Sequence, residues 1–275
     1  MTLATLNDVL KPAEKNRSAI AGLVVLGWED AIAFTEAAEE VGCPVILQAG
    51  PGCRRHTPLS VLGKMFTYLA ERASVPVVCH LDHAHTFKEC SEAIDCGFTS
   101  LMIDGSMLPL DDNIALTARV KGLAKPHKLS VEGEIGAVGY AGGAASAMTD
   151  PEEAARFERE TGIDALAISI GNVHLQTEHA AMIDWTRLAD IQSLTRAPLV
   201  LHGGSGIPPS VRRDLARETR VKKFNIGTEL RLGFGNALRD YLATHPAEFD
   251  RLRILSAPIA PMKNIAMEIM RNLQA

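Results

Sequence analysis

Cysteine is scarce in this sequence and unpaired in number. The five residues (Cys43, Cys53, Cys79, Cys90 and Cys96) show no Cys-x-x-Cys spacing, so free thiols are a better reading than a disulfide framework. Free thiols fit a reducing compartment, so a cytoplasmic protein is expected. No apolar run reaches the ~18 residues that a membrane span needs, because Gly, Pro or charge interrupts each one. The first eighteen residues contain no basic region followed by an apolar stretch, unlike a signal peptide. The net charge of −5 is spread over mixed signs with no basic stripe, which argues against nucleic acid as a partner. No low-complexity tract or Pro/Ser-rich linker divides the chain, so residues 1–275 are read as one domain.

What the chain does contain is a repeated alternation. Short β-rich apolar runs occur at 20–26, 44–49, 76–80, 99–103, 129–135, 165–170, 198–201 and 221–225. Between and after them lie amphipathic patterns at 29–41, 59–73, 86–96, 113–125, 150–161, 185–195, 209–218 and 228–243. Near-continuous apolar strands suit a parallel sheet covered on both faces. Eight strand–helix units in 275 residues predict a single (β/α)8 barrel rather than an open doubly wound sheet. Helix signals agree. Asp150-Pro151-Glu152-Glu153 supplies a cap, a proline at the first helical position and acids in the first turn. Gly42 and Gly97 end helices before the second and fourth strands. The Gly- and Ala-rich stretch 136–149 is the one long irregular loop.

A barrel carries its chemistry at the C-terminal ends of its strands. Read in that order, the third run leads into His80-Leu81-Asp82-His83 and the fourth into Asp104. The fifth carries Glu132 and Glu134, the sixth leads to Asn172-Val173-His174, the seventh ends at His202 and the eighth at Asn225. A lone histidine at a strand end is usually structural, but three at one mouth match the three-ligand, one-open-position pattern of catalytic zinc. His83, His174 and His202 make that set. His80 is expected to support them, His85 to belong to the following helix, and His56, His127, His179 and His245 to lie on the surface or in loops. Asp82, beside a proposed ligand, is placed to shuttle a substrate hydroxyl proton, although a turn-forming Asp is the plainer alternative. Asp104 and Glu134 either orient the histidines or hold a displaced metal. Glu132 alternates onto the same strand face as Glu134, so one supports the other. Two Gly-rich turns, His202-Gly203-Gly204-Ser205-Gly206 and Asn225-Ile226-Gly227-Thr228, precede helices after strands seven and eight, where barrels commonly bind phosphate.

The segments HLDHAHT, SLMIDGS, SVEGEIG, TDPEEAARFERETGIDALAISIGNVH, PLVLHGGSGIP and KKFNIGTEL resemble, in order and spacing, the class II fructose-bisphosphate and tagatose-bisphosphate aldolases. The resemblance runs from about Ser18 to the PMKNIAMEIM segment. It implies that His83, His174 and His202 hold a catalytic Zn²⁺, with Glu134 and Asp104 as supporting or alternative metal positions. It implies Asp82 as the acid/base acting at the hydroxyl next to the broken bond. Gly203, Ser205, Asn225 and Thr228 would bind dihydroxyacetone phosphate, with a monovalent cation near it. A homodimer or homotetramer is implied too. No lysine ends strands three to seven, so a Schiff-base route has no candidate and Lewis-acid stabilisation of the enediolate is preferred.

The pattern also departs from that family. Val24 stands where an asparagine is usual, Gly50 where a serine is common, and Leu175 where a glycine normally follows the second zinc histidine. His174-Leu175-Gln176-Thr177-Glu178 lacks the usual basic residue. The loop 139–145 lacks the acid that exchanges the C3 proton, leaving Tyr140, water or a substrate group as its replacement. These departures predict an atypical ketose 1-phosphate or modified sugar acid rather than fructose 1,6-bisphosphate. Two rival readings are an aldolase-like subunit without turnover, prompted by the acid-free loop, and a metal-dependent barrel hydrolase, prompted by His83-Ala84-His85. The second requires that motif on the first strand and an Asp on the last, where this chain has Asn225.

Overall fold

The computed structural model describes residues 2–139, 146–177 and 181–274. In chain order the elements are β1 (Leu3–Ala4), α1 (Leu6–Lys15), β2 (Ile20–Val24), α2 (Trp28–Val41), β3 (Val45–Ala49), α3 (Pro51–His56), α4 (Leu59–Arg72), β4 (Val77–Ala84), α5 (Phe87–Asp95), β5 (Ser100–Ile103), α6 (Leu110–Ala124) and β6 (Ser130–Ile135). Then follow α7 (Pro151–Thr161), β7 (Ala165–Ile168), α8 (Trp185–Leu194), β8 (Leu199–Leu201), α9 (Pro209–Glu218), β9 (Val221–Ile226), α10 (Thr228–Thr244), α11 (Arg251–Ser256) and α12 (Ile259–Gln274). Strands β2 to β9 pair in parallel, each with the next, and β9 returns to β2. The sheet is therefore a closed eight-stranded barrel ringed by helices, as the alternation predicts.

The local signals act as their chemistry requires. Asp150 Oδ1 accepts from the backbone N–H groups of Glu152 and Glu153 at 2.9 and 3.0 Å, and Gly42 ends α2 at φ +73°. All five cysteines are free, and four are buried.

Several features lie outside the eight-unit reading. At the N-terminal end, β1 pairs with the first two residues of β4 (Leu3↔Val77, Ala4↔Val78), below the point where β5 takes over at His80↔Ser100. Helix α1, closed by a capping box between Thr5 and Asp8, sends Leu6, Val9, Leu10 and Ala13 into a cluster with Ile20, Ile46, Val78 and Val200. It plugs the barrel floor, so the working end is the opposite one. Short α3 follows β3 directly. Finally, α12 packs on α2 and α9 of its own barrel, burying Met262, Ala266, Ile269, Met270 and Leu273. The apolar C-terminal face is thus satisfied within the chain.

Candidate active site

The strand that carries the first ligand is longer than its apolar run suggests. β4 extends to Ala84, and its register with β5 shifts: Leu81 faces Leu101 but Ala84 faces Ile103. One extra residue on β4 makes a bulge, and His83 occupies it in the left-handed region at φ +48°. In a regular strand Asp82 and His83 would face opposite sides; with the bulge both line one pocket of about 120 Å³. Arg54 holds the bulge from behind. Its guanidinium donates to the backbone carbonyls of Ala49 (2.6 Å), Asp82 (2.5 Å) and His83 (3.1 Å).

The other elements converge on the same place. His174 follows β7, its N–H donating to Gly139 O at 2.8 Å. His202 follows β8, and Asn172 ties the two loops by donating its amide to His202 O at 3.0 Å. Gly203 sits at φ +64°, where a Cβ would lie 2.2 Å from Val173 O, so only glycine lets this turn pack against the His174 segment. Ser205 Oγ accepts from Glu229 N at 3.2 Å, which joins the two Gly-rich turns. Asp82, His83, His174, Gly203, Ser205, Asn225 and Thr228 line the pocket, and His202 lies fully buried beside His83. Asp104 and Glu134 stand behind His83. Of the ten residues singled out from the sequence, seven line this cavity and the other three contact His83 beside it.

His83, His174 and His202 each offer a ring nitrogen within 4.8 Å of the others, as do His83, Asp104 and Glu134 with their oxygens. The hydrogen bonds define how the rings point. His83 Nδ1 lies 2.8 Å from Asp104 Oδ2, and His202 Nε2 lies 3.0 Å from Glu132 Oε1. Each carboxylate accepts an N–H, which leaves His83 Nε2 and His202 Nδ1 facing one another at 2.8 Å. An N–H on one of these nitrogens can bond the other directly, with Asn225 Nδ2 3.1 Å from His202 Nε2, and a metal bound to both rings would take the place of that proton. The donor set fits a divalent metal: three imidazoles, two of them oriented by carboxylates on the remote nitrogen.

Burial opposes a charge on His83, but Asp82, Asp104 and Glu134 outweigh it and raise its pKa to about 9. Burial and then the His83 charge lower His174 to about 4, and burial holds His202 well below its usual value. Burial also pushes Glu134 up to about 8, with Asp104 adding repulsion. Asp104 is lowered: burial opposes ionisation, but the hydrogen bond and charge of His83 prevail. Asp82 is lowered as well: burial opposes ionisation, but the His83 charge beside it prevails.

Beneath the ligands lies a fully buried network that the motifs did not reveal. Lys223 Nζ donates to Glu132 Oε2 at 2.6 Å and lies 3.2 Å from His80 Nε2. His80 Nδ1 meets Ser100 Oγ at 2.8 Å, so His80 supports the site rather than joining the three-histidine set. Lys223 holds one oxygen of Glu132, and the other oxygen orients His202. Two adjacent lysines inside a buried strand were the available signal. Arg54 gave none, because its partners are carbonyls brought near only by barrel closure. Asn225 faces Asp82, donating to Oδ1 at 3.1 Å. His56, His127 and His245 are exposed, whereas Tyr140 and His179 lie outside the described residues. No described helix is long and apolar enough to cross a membrane.

Comparison with known proteins gives the same account over the whole chain. The model of the family described as fructose-bisphosphate aldolase class-II matches residues 4–275. A Bacillus subtilis protein named probable fructose-bisphosphate aldolase is 34% identical, covering 98% of this chain and 97% of its own. A Bacillus licheniformis 6-phospho-5-dehydro-2-deoxy-D-gluconate aldolase is 35% identical, covering 98% and 94%. Among solved structures, the YdjI aldolase of Escherichia coli K12 superposes with a TM-score of 0.87 at 30% identity, covering 98% of this chain and 97% of that one. Fold, converging histidines and whole-chain similarity together establish that this chain belongs to the class II fructose-bisphosphate aldolase family.

Proposed function

We propose that this protein is a zinc-dependent aldolase. Its reaction is the reversible cleavage of a phosphorylated ketose, or a related sugar acid, to dihydroxyacetone phosphate or a similar donor plus an aldehyde. The observation that carries the reading is the pair of facing nitrogens on His83 and His202, with Asp82 beside them in one pocket. His83, His174 and His202 would hold the zinc, with Asp104 and Glu134 as an alternative position. When bound, the metal supplies a Lewis acid that stabilises negative charge next to the substrate carbonyl.

The chain's own groups have distinct tasks. Asp82 takes the hydroxyl proton as the adjacent carbon–carbon bond breaks, and returns it in the synthetic direction. Asn225 holds Asp82 Oδ1 and so aims the other oxygen. Gly203, Ser205, Asn225 and Thr228 form the phosphate end. There α10 begins without a side-chain cap, and its N-terminus favours an anion. A monovalent cation beside this phosphate belongs to the same reading.

The substrate is read as atypical. The relatives named for fructose bisphosphate and for a gluconate derivative are equally similar to this chain, at 34% and 35%. Val24, Gly50 and Leu175 line the pocket and offer no side-chain hydrogen bonds to a sugar. We also read the protein as a cytoplasmic homodimer or homotetramer. Among the described residues α10 buries only Leu230, and Phe249 and Leu252 beyond it are 92% and 76% exposed.

The test is zinc content per chain after dialysis against metal-free buffer, followed by a panel of phosphorylated ketoses and sugar acids. About one zinc per chain and a preferred substrate other than fructose 1,6-bisphosphate are expected. A value near zero that neither Zn²⁺ nor Co²⁺ restores would refute the metal mechanism. Fructose 1,6-bisphosphate as much the best substrate would refute the atypical one.

A further inference from the structure

Gln48 is the next-to-last residue of β3 and is fully buried. Neither atom of its carboxamide has a hydrogen-bond partner among the described residues, and Asn225 Oδ1 on β9 has none either. Buried amides without partners are uncommon and call for an account. The two meet beside Gly22 on β2, the strand between β3 and β9. A Cβ on Gly22 would lie 1.8 Å from Gln48 Oε1 and 3.1 Å from Asn225 Oδ1, so the absent side chain is the room both amides use. Two carbonyl oxygens gain nothing from each other. A half-turn of the last Gln48 torsion puts Nε2 in that gap instead, and a donor there reaches Asn225 Oδ1 directly or across one water.

We propose that Gln48 is a positioning residue for proton transfer by Asp82. It holds Asn225 Oδ1, and that fixes the Asn225 amide with Nδ2 on Asp82 Oδ1 at 3.1 Å. The inference rests on the aldolase reading and deepens it. Gln48 does not line the catalytic pocket, so it acts through Asn225 and not on the substrate. On β2, Gly22 has no side chain and Val24 is apolar, so neither can donate to Asn225 in its place. With Gln48 gone, the Asn225 amide is free to turn over. Its oxygen then faces the Asp82 carboxylate and repels it, and the Asp82 oxygen that takes the hydroxyl proton loses its aim.

The experiment compares the zinc-loaded wild type with Gln48→Met, Asp82→Asn and the double variant. Each is assayed on the same panel of phosphorylated ketoses and sugar acids, fructose 1,6-bisphosphate included. Methionine is close to glutamine in shape and removes both amide atoms. The expected result is a kcat lowered about three- to tenfold, with KM changed by less than about twofold and zinc content unchanged. Added to Asp82→Asn, the same change should cost less than about twofold more, because both act on one step. A purely structural Gln48 gives another pattern: kcat stays the same, and stability is equal or higher once two unpartnered polar atoms are gone. That pattern, a full loss repeated in the Asp82→Asn background, or loss of zinc together with activity would each overturn the proposal while leaving the aldolase reading intact. Gly22→Ala keeps the carboxamide but pushes it out of the gap, and should lower kcat equally; it decides the matter if Gln48→Met misfolds. A wild type inactive on every member of the panel would overturn the aldolase reading, and this inference with it.

Discussion

Replacing Arg54 by Met should loosen the metal site without touching a ligand. Arg54 is nearly buried, with a side chain 10% exposed, and its guanidinium satisfies three carbonyls at the ends of β3 and β4. Hydrogen bonds from a charged donor contribute ~1.5–3 kcal/mol each. The carbonyls lie near the mouth, where water can partly replace them, so a net loss of about 2–4 kcal/mol is expected rather than the full sum. For a domain of this size that lowers Tm by roughly 5–15 °C. The functional effect is separate. His83 holds a left-handed backbone that costs an L-residue ~1–2 kcal/mol, and two of the three bonds fall on Asp82 and His83 themselves. Once the bulge relaxes, the His83 ring leaves the position that Asp104 orients, and zinc affinity should fall by about 10–100-fold, the usual cost of losing an orienting partner. Arg54→Lys, which keeps the charge but not the fork, should fall between. Glu89→Gln neutralises the 3.3 Å pair to Arg54, with Glu89 itself 35% exposed, while the amide oxygen can still accept from His85 N and Thr86 N, and it should cost about 1 kcal/mol. Chelator competition gives the zinc affinity, and thermal unfolding of the same samples gives Tm. A lowered Tm with unchanged zinc affinity would show that Arg54 holds the fold alone and refute the argument.

Three further outcomes follow from the same geometry. Asp82→Asn should lower cleavage by about 10²–10⁴-fold with zinc content unchanged, as metal analysis beside steady-state kinetics would show; loss of metal as well would make Asp82 a ligand. Glu132→Gln leaves Lys223 buried without its anion and only one carbonyl oxygen to serve both Lys223 and His202. We expect destabilisation of about 3–5 kcal/mol and weaker zinc binding, partly recovered in Glu132→Gln/Lys223→Met. Denaturant unfolding with equal stability in both variants would contradict the coupling. Lys222, with Nζ donating to Ala216 O at 2.6 Å, has its pKa lowered by burial to about 8 against 10.5 unfolded. Between those values the unfolded chain binds more protons, so stability rises with pH, by about 1–3 kcal/mol from this group. Lys222→Met should remove that rise; an unchanged pH dependence would refute it.

The alternation of apolar runs with amphipathic segments was enough to specify eight strand–helix units, because burial periodicity is a local property that each segment carries by itself. The ligand types were legible for a related reason: in a closed parallel barrel all strand C-termini share one end, so strand order converts sequence position into location. His83, His174 and His202 could therefore be placed together before any coordinates. What the local pattern could not contain was anything set by closure. The bulge that turns Asp82 and His83 to one side depends on the register between β4 and β5. Arg54 finds its carbonyls across two strands, and Lys223 reaches Glu132 from the far wall of the barrel. Helix α1 became a plug, and the apolar face of α12 an internal contact, only when the floor and the helical ring were assembled. Those partners are distant in sequence, and only the tertiary structure brings them together.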